Sequence, residues 1–233
     1  MIETITTYWL PTLISAIIAY LLGSISFAIP VTKLFIGKDI RKLGSGNAGF
    51  TNVLRCVGKP AAVITFIGDF SKGICSMFIG EWIFNIMVPN TMSMLEIEHT
   101  AKVGAAVAGL FALMGHLFPI YFGFKGGKGI LISAGIICAL DFKCFLIVVV
   151  IFLIIFAITK TVSKGSLVVA VCYPIATLLL NLLVYKSDAW FAMTLIATAF
   201  AVVVIYMHRE NIKRIMNGTE PKTIAKKNES KEK

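Results

Sequence analysis

Residues 39–59, Asp-Ile-Arg-Lys-Leu-Gly-Ser-Gly-Asn-Ala-Gly-Phe-Thr-Asn-Val-Leu-Arg-Cys-Val-Gly-Lys, gather glycines, amides, hydroxyls and cations between two long apolar runs. Glycine lets the main chain approach an anion closely and form concave N–H nests, so the stretch suits a phosphate. What flanks it decides the fold. Tyr8 to Phe35 upstream and Pro60 to Val88 downstream are apolar and longer than the roughly 20 residues a spanning helix needs. The stretch is therefore read as a loop held at a membrane face.

Composition agrees. With 58% hydrophobic residues, 15% charged residues and a mean hydropathy of +0.87, the chain carries more apolar surface than 233 soluble residues can bury. The reading is an all-α polytopic membrane protein. The start, Met-Ile-Glu-Thr-Ile-Thr-Thr, lacks the basic region of a secretory signal, so the first apolar run is expected to be retained. A net charge of +10 would suggest nucleic acid in a soluble protein; here the cations sit in loops and a tail, and no nucleic-acid partner is inferred. The five cysteines form no Cys-x-x-Cys pair and no zinc spacing with a histidine, so neither a metal nor a cofactor is expected.

About seven helices are expected: Tyr8–Phe35, Pro60–Val88, Lys102–Phe122, a short Ile130–Leu140, Phe142–Ile158, Leu167–Tyr185 and Trp190–Met207. Gly23-Ser24 and Pro30 interrupt the first. Asp69 and Lys72, at i,i+3 in the second, are placed to pair within the membrane. Polar connections at Pro89–Ala101, with Glu96 and Glu98, and at Lys186-Ser-Asp188 suit the outer side. Residues 39–59, Phe124-Lys-Gly-Gly-Lys-Gly129 and Lys160–Ser166 suit the inner side. On this topology 18 of the 22 Lys and Arg lie inside, which puts the N-terminus outside and the C-terminus in the cytoplasm. Residues 1–218 then form one transmembrane domain, and 219–233 a basic, disordered tail against anionic headgroups.

Gly44-x-Gly46-x-x-Gly49 matches the dinucleotide fingerprint formally, but a charged segment precedes it and no βαβ unit can be drawn. The Lys125–Gly129 loop fails as a Walker motif, since Gly129 takes the Ser/Thr position. Three polar loops and the His208-Arg-Glu-Asn211 helix end nonetheless converge on one face. His208 and Asn211 are i,i+3 and share a side; Ser163 and Ser166 are candidates for a helix cap or a site wall. His116 lies at the inner end of the third helix. No histidine has an aspartate five residues on, which argues against acyltransferases that use such a dyad as base.

Leu22-Gly-Ser-Ile25, Gly44–Gly58, Asp69-Phe-Ser-Lys-Gly73, Gly115-His-Leu-Phe-Pro119, Phe124–Gly129 and His208–Ile212, in this order, resemble the bacterial acyl-phosphate:glycerol-3-phosphate acyltransferases, the PlsY family. The resemblance implies transfer of a fatty acyl group from acyl phosphate to the sn-1 hydroxyl of glycerol 3-phosphate, the first acylation of phospholipid biosynthesis. It implies a multi-pass protein of the bacterial inner membrane whose site faces the cytoplasm, without an obligate protein partner. Ser45, Lys128, His208 and Asn211 become the catalytic candidates. Arg55, Ser45, Gly46, Asn47, Lys125, Lys128 and Ser166 become the phosphate-binding candidates, with Asn52 and His116 in support. Phe50, Ser26 and Ile130-Leu-Ile132 depart from the usual family residues. The alternative from another class is a transporter of phosphorylated or anionic solutes, which would favour inverted repeats and a midplane site.

Overall fold

A computed structural model describes residues 2–87 and 94–222, with side chains from 8 to 87 and from 101 to 222. Ten α-helices are found among them: α1 Ile2–Gly23, α2 Ala28–Ile36, α3 Phe50–Cys56, α4 Lys59–Met87, α5 Met94–Leu117, α6 Ile130–Leu140, α7 Phe142–Thr159, α8 Val162–Leu179, α9 Trp190–Met207 and α10 Arg209–Met216. Six stretches are long and apolar enough to cross a bilayer, and α6 is a shorter apolar helix. Its 11 residues span about 16 Å, half the hydrocarbon thickness. The connection expected over Pro89–Ala101 is shorter, because α5 begins at Met94. The side chains of Glu96 and Glu98 and the tail from residue 223 lie outside the described residues.

Close helix contact follows from glycine, as expected where lipid removes the hydrophobic drive and backbones must pack. A Cβ on Gly23 would collide with the Ala112 backbone, and one on Gly115 with the Tyr20 carbonyl, so α1 and α5 meet main chain to main chain. Gly73 and Gly135 do the same reciprocally between α4 and α6, against Ile132 and Phe70. This seats the short α6 against α4, in the half of the bundle that carries the two glycine loops. The buried apolar core draws on α1 and α4 to α9, including Leu113, Leu117, Ile132, Ile136 and Phe200. By contrast α7 fully buries only Cys144 and Val148 and leaves a broad apolar face exposed, suited to lipid.

The first expected helix is two. Ser24 turns its hydroxyl back on the Tyr20 carbonyl (2.8 Å), Pro30 lacks an N–H, and the chain breaks between α1 and α2. The break frees the Ile25 carbonyl, which accepts from Lys72 Nζ at 2.6 Å. Lys72 also pairs with Asp69 (2.8 Å), the expected i,i+3 contact, and lies 3.0 Å from His116 Nδ1. All three side chains are buried. The intramembrane charges are thus satisfied by one another and by the broken helix.

Candidate active site

The first glycine loop is organised by Asn52. Buried in α3, its Nδ2 donates to the carbonyls of Ile40 (3.3 Å), Leu43 (3.0 Å) and Asn47 (3.0 Å), and its Oδ1 accepts from Ser45 N (3.1 Å). Gly44 (φ +53°) and Gly46 (φ +71°) take left-handed conformations that fold the loop over this amide. The N–H groups of Ser45, Gly46 and Gly49 are thereby used internally, on Asn52, Leu43 and Asn47. The loop therefore presents the exposed side chains of Ser45 and Arg55 rather than a full cradle of free N–H groups.

The second loop sits directly beneath it. Gly126 N donates to Leu117 O (3.1 Å) and Gly127 N to His116 O (3.2 Å). A Cβ on Gly127 would collide with both the His116 ring and the Ala48 carbonyl, so only glycine lets the two loops touch over His116. Arg41 ties them further, donating to the carbonyls of Phe122 (2.6 Å) and Lys125 (3.3 Å). Gly129 (φ +85°) then caps α6, whose positive end points back at the loop.

Lys128 carries the connection to the end of the chain. Its Nζ donates to Asn211 Oδ1, and Asn211 Nδ2 donates to Ser163 Oγ (2.8 Å) and to Glu220 Oε1 (2.6 Å). Ser163 donates to the same carboxylate, and Arg214 Nε to Glu220 Oε2 at 2.7 Å. Burial pushes the Glu220 carboxyl up, but these three donors outweigh it and hold it below its ordinary value. Burial lowers Lys128 to about 8, with Arg214 adding to the shift and Glu220 opposing it. His208 is buried and driven down to about 4, chiefly by burial, with the Val204 carbonyl opposing and Lys128 contributing. Its Nδ1 lies 2.8 Å from that carbonyl, which must accept, so Nδ1 bears the proton and Nε2 is the free acceptor.

The structure brings Lys128, His208 and Asn211 together and places Asn52 and His116 under the loops. Ser45, Gly46 and Lys125 are exposed at the same face, Asn47 half-buried. Among the described residues, neither Ser45 nor Arg55 hydrogen-bonds to the Lys128 cluster. Ser166 is buried with its hydroxyl on Val162 O (3.0 Å); it is Ser163, one turn earlier, that meets Asn211. Lys160–Ser166 is not a loop: α8 starts at Val162, so both serines stand in its first turns. Sequence reasoning missed Glu220, which it placed in the tail. The signal was present, since Gly218 (φ +69°) follows α10 and Thr219 N closes onto Arg214 O (2.8 Å), a glycine reversal that returns the next residue to the helix.

Two glycine loops, the Lys128–Asn211 pair, the His208 imidazole and the N-terminus of α6 lie together at one end of the bundle, a combination of groups suited to an anion. Comparison with known proteins agrees. The glycerol-3-phosphate acyltransferase family profile matches residues 13–218. A glycerol-3-phosphate acyltransferase of Clostridioides difficile (strain 630) is 40% identical over 215 residues, covering 92% of this chain and 97% of the relative. One from Coxiella burnetii (strain Dugway 5J108-111) is 39% identical over 210 residues, 90% and 97% of the two chains. The crystal structure of PlsY, an integral membrane glycerol 3-phosphate acyltransferase, superposes in its glycerol 3-phosphate form with a TM-score of 0.73 at 35% identity, over 91% of this chain and 94% of that one. Its lysophosphatidic acid form gives 0.72 at 33% identity over the same shares. The chain belongs to the glycerol-3-phosphate acyltransferase family.

Proposed function

We propose that this protein transfers a fatty acyl group from acyl phosphate to the sn-1 hydroxyl of glycerol 3-phosphate at the cytoplasmic face of a bacterial inner membrane. The hydroxyl oxygen bonds to the acyl carbon, the acyl carbon–phosphate oxygen bond breaks, the hydroxyl proton passes to a substrate phosphate oxygen, and the products are lysophosphatidic acid and inorganic phosphate. The observation that carries the reading is the Lys128–Asn211 hydrogen bond, which joins the second glycine loop to the helix end bearing His208. It gathers a phosphate-binding charge and an orienting imidazole in one place. Relatives solved in glycerol 3-phosphate and lysophosphatidic acid forms support a substrate and product of this class.

Acyl phosphate is already activated, so the protein has to orient a hydroxyl and neutralise phosphate more than it has to supply a nucleophile. Orientation can contribute roughly 7–11 kcal/mol, and a donor aimed at the developing oxyanion roughly 3 kcal/mol. Lys128 and Arg55 take phosphate charge, Ser45 donates to a phosphate or oxyanion oxygen, and His208 with Asn211 orients glycerol 3-phosphate. Lys125, Gly46, Asn47 and Ser166 complete the binding wall.

The test is purified protein with glycerol 3-phosphate and, in parallel, acyl phosphate, acyl-CoA or acyl carrier protein thioester. Lysophosphatidic acid from acyl phosphate is expected; product from a thioester alone overturns the donor assignment.

A further inference from the structure

One side chain ties the two glycine loops together without a part in the chemistry above. Asp39 grips Arg41, accepting from its Nε at 3.1 Å on each carboxylate oxygen and from its Nη2 at 2.7 Å, and also caps Arg41 N at 2.9 Å. That grip aims the remaining corner, Nη1, at the carbonyls of Phe122 (2.6 Å) and Lys125 (3.3 Å). Between those carbonyls lie Gly123 (φ +66°) and Phe124 (φ +59°), both left-handed. Glycine adopts this freely, whereas a phenylalanine is strained there. Packing does not explain the strain, because Phe124 is 56% exposed. The turn closes on Pro119 O, which accepts from Phe122 N (3.1 Å) and Phe124 N (2.9 Å), and it brings two further carbonyl dipoles to one side, where a single guanidinium neutralises both. Immediately beyond, Gly126 and Gly127 are fixed to the carbonyls of Leu117 and His116, and Lys128 follows.

We infer that Arg41, aligned by Asp39, is a positioning residue that holds the Gly123–Phe124 turn left-handed and so sets where Lys128 stands. Its kinetic arm rests on the acyl-transfer reading. A loop that is competent only part of the time weakens apparent binding by that fraction, while saturating substrate still draws it into place. Arg41→Ala therefore raises KM for glycerol 3-phosphate about tenfold or more and leaves kcat within about threefold of wild type. Arg41→Lys is intermediate, since one ammonium cannot serve the carboxylate fork and both carbonyls.

The discriminating variant is Phe124→Gly. Alone it changes KM by no more than about twofold, but placed in Arg41→Ala or Arg41→Lys it removes the left-handed penalty and lowers KM by about tenfold, or back to the wild-type value where the single variant's defect is smaller. A merely structural role for Arg41 would not be rescued by a glycine on an exposed turn. Hydrogen exchange on the purified protein supplies a readout free of any substrate: the Gly126 and Gly127 amides exchange faster in either Arg41 variant and recover with Phe124→Gly. A wild-type KM and exchange rate in both Arg41 variants, or a defect that Phe124→Gly leaves untouched, overturns the inference. Should the wild-type protein make no lysophosphatidic acid from acyl phosphate and glycerol 3-phosphate, the acyl-transfer reading falls while the exchange arm still decides the clamp.

Discussion

Lys128 and His208 show how burial sets chemistry one residue at a time. With its pKa lowered to about 8, Lys128 loses its charge as pH rises through that value, so kcat/KM for glycerol 3-phosphate falls on the alkaline side in the free protein. Lys128→Ala is expected to lose about a hundredfold or more in turnover even at high substrate, the scale of one lost electrostatic contact to the reacting group. Lys128→Arg, which cannot deprotonate, is slower through altered geometry but loses the alkaline limb. If that limb persists in the arginine variant, it belongs to another group. At about 4, His208 is neutral throughout the physiological range and lies about two units below the second ionisation of a phosphate ester. We propose that a substrate phosphate oxygen is the proton acceptor and that His208 orients the hydroxyl. His208→Gln should raise KM yet keep the acidic limb of the rate profile; disappearance of that limb would make His208 the base.

At the scale of the element, breaks and joins between helices make the site. The α1–α2 break offers the Ile25 carbonyl to Lys72, and His116, the third member of the Asp69–Lys72–His116 cluster, accepts from Gly127 N on its carbonyl and packs its ring under that glycine. Lys72→Met strands the buried Asp69 and should cost about 3–5 kcal/mol of stability, of which Asp69→Asn in the same chain recovers a large part. Thermal unfolding in detergent checks this, and equal loss in single and double variants would show that the pair is not coupled. The Asp69–Lys72 contact was legible from i,i+3 spacing, and the helix break from Gly23, Ser24 and Pro30, though not its role as a donor of a free carbonyl. Asn52 could not be given its task from sequence, because the three carbonyls it gathers come together only when the loop closes. Lys160–Ser166 was misread for a physical reason: a polar first helical turn that lines a site has the same hydropathy as a loop. Glu220 escaped because composition says nothing about a chain that reverses at one glycine.

Across the whole molecule, the proposed site groups among the described residues stand at one end of the bundle, and the turn at Lys186-Ser-Asp188 stands at the other. The expected order of apolar runs survives in the fold, with α6 as the short helix that lets Gly129 deliver the second loop to the same face as the first. This polarity has a chemical sense. A soluble phosphate ester arrives from water and an acyl chain from lipid, so the site has to sit where the two phases meet. We propose that this face is cytoplasmic. The excess of cations near the glycine loops and the last helix end is the driving asymmetry, since positive loops resist translocation. In a chain freed of its native cysteines, Ser187→Cys should react with a membrane-impermeant maleimide in intact cells, whereas Lys222→Cys should react only after permeabilisation. The reverse labelling would place the site outside and remove it from cytoplasmic glycerol 3-phosphate. Labelling of both positions in intact cells would point to a mixed topology, at odds with a single loop asymmetry setting the orientation.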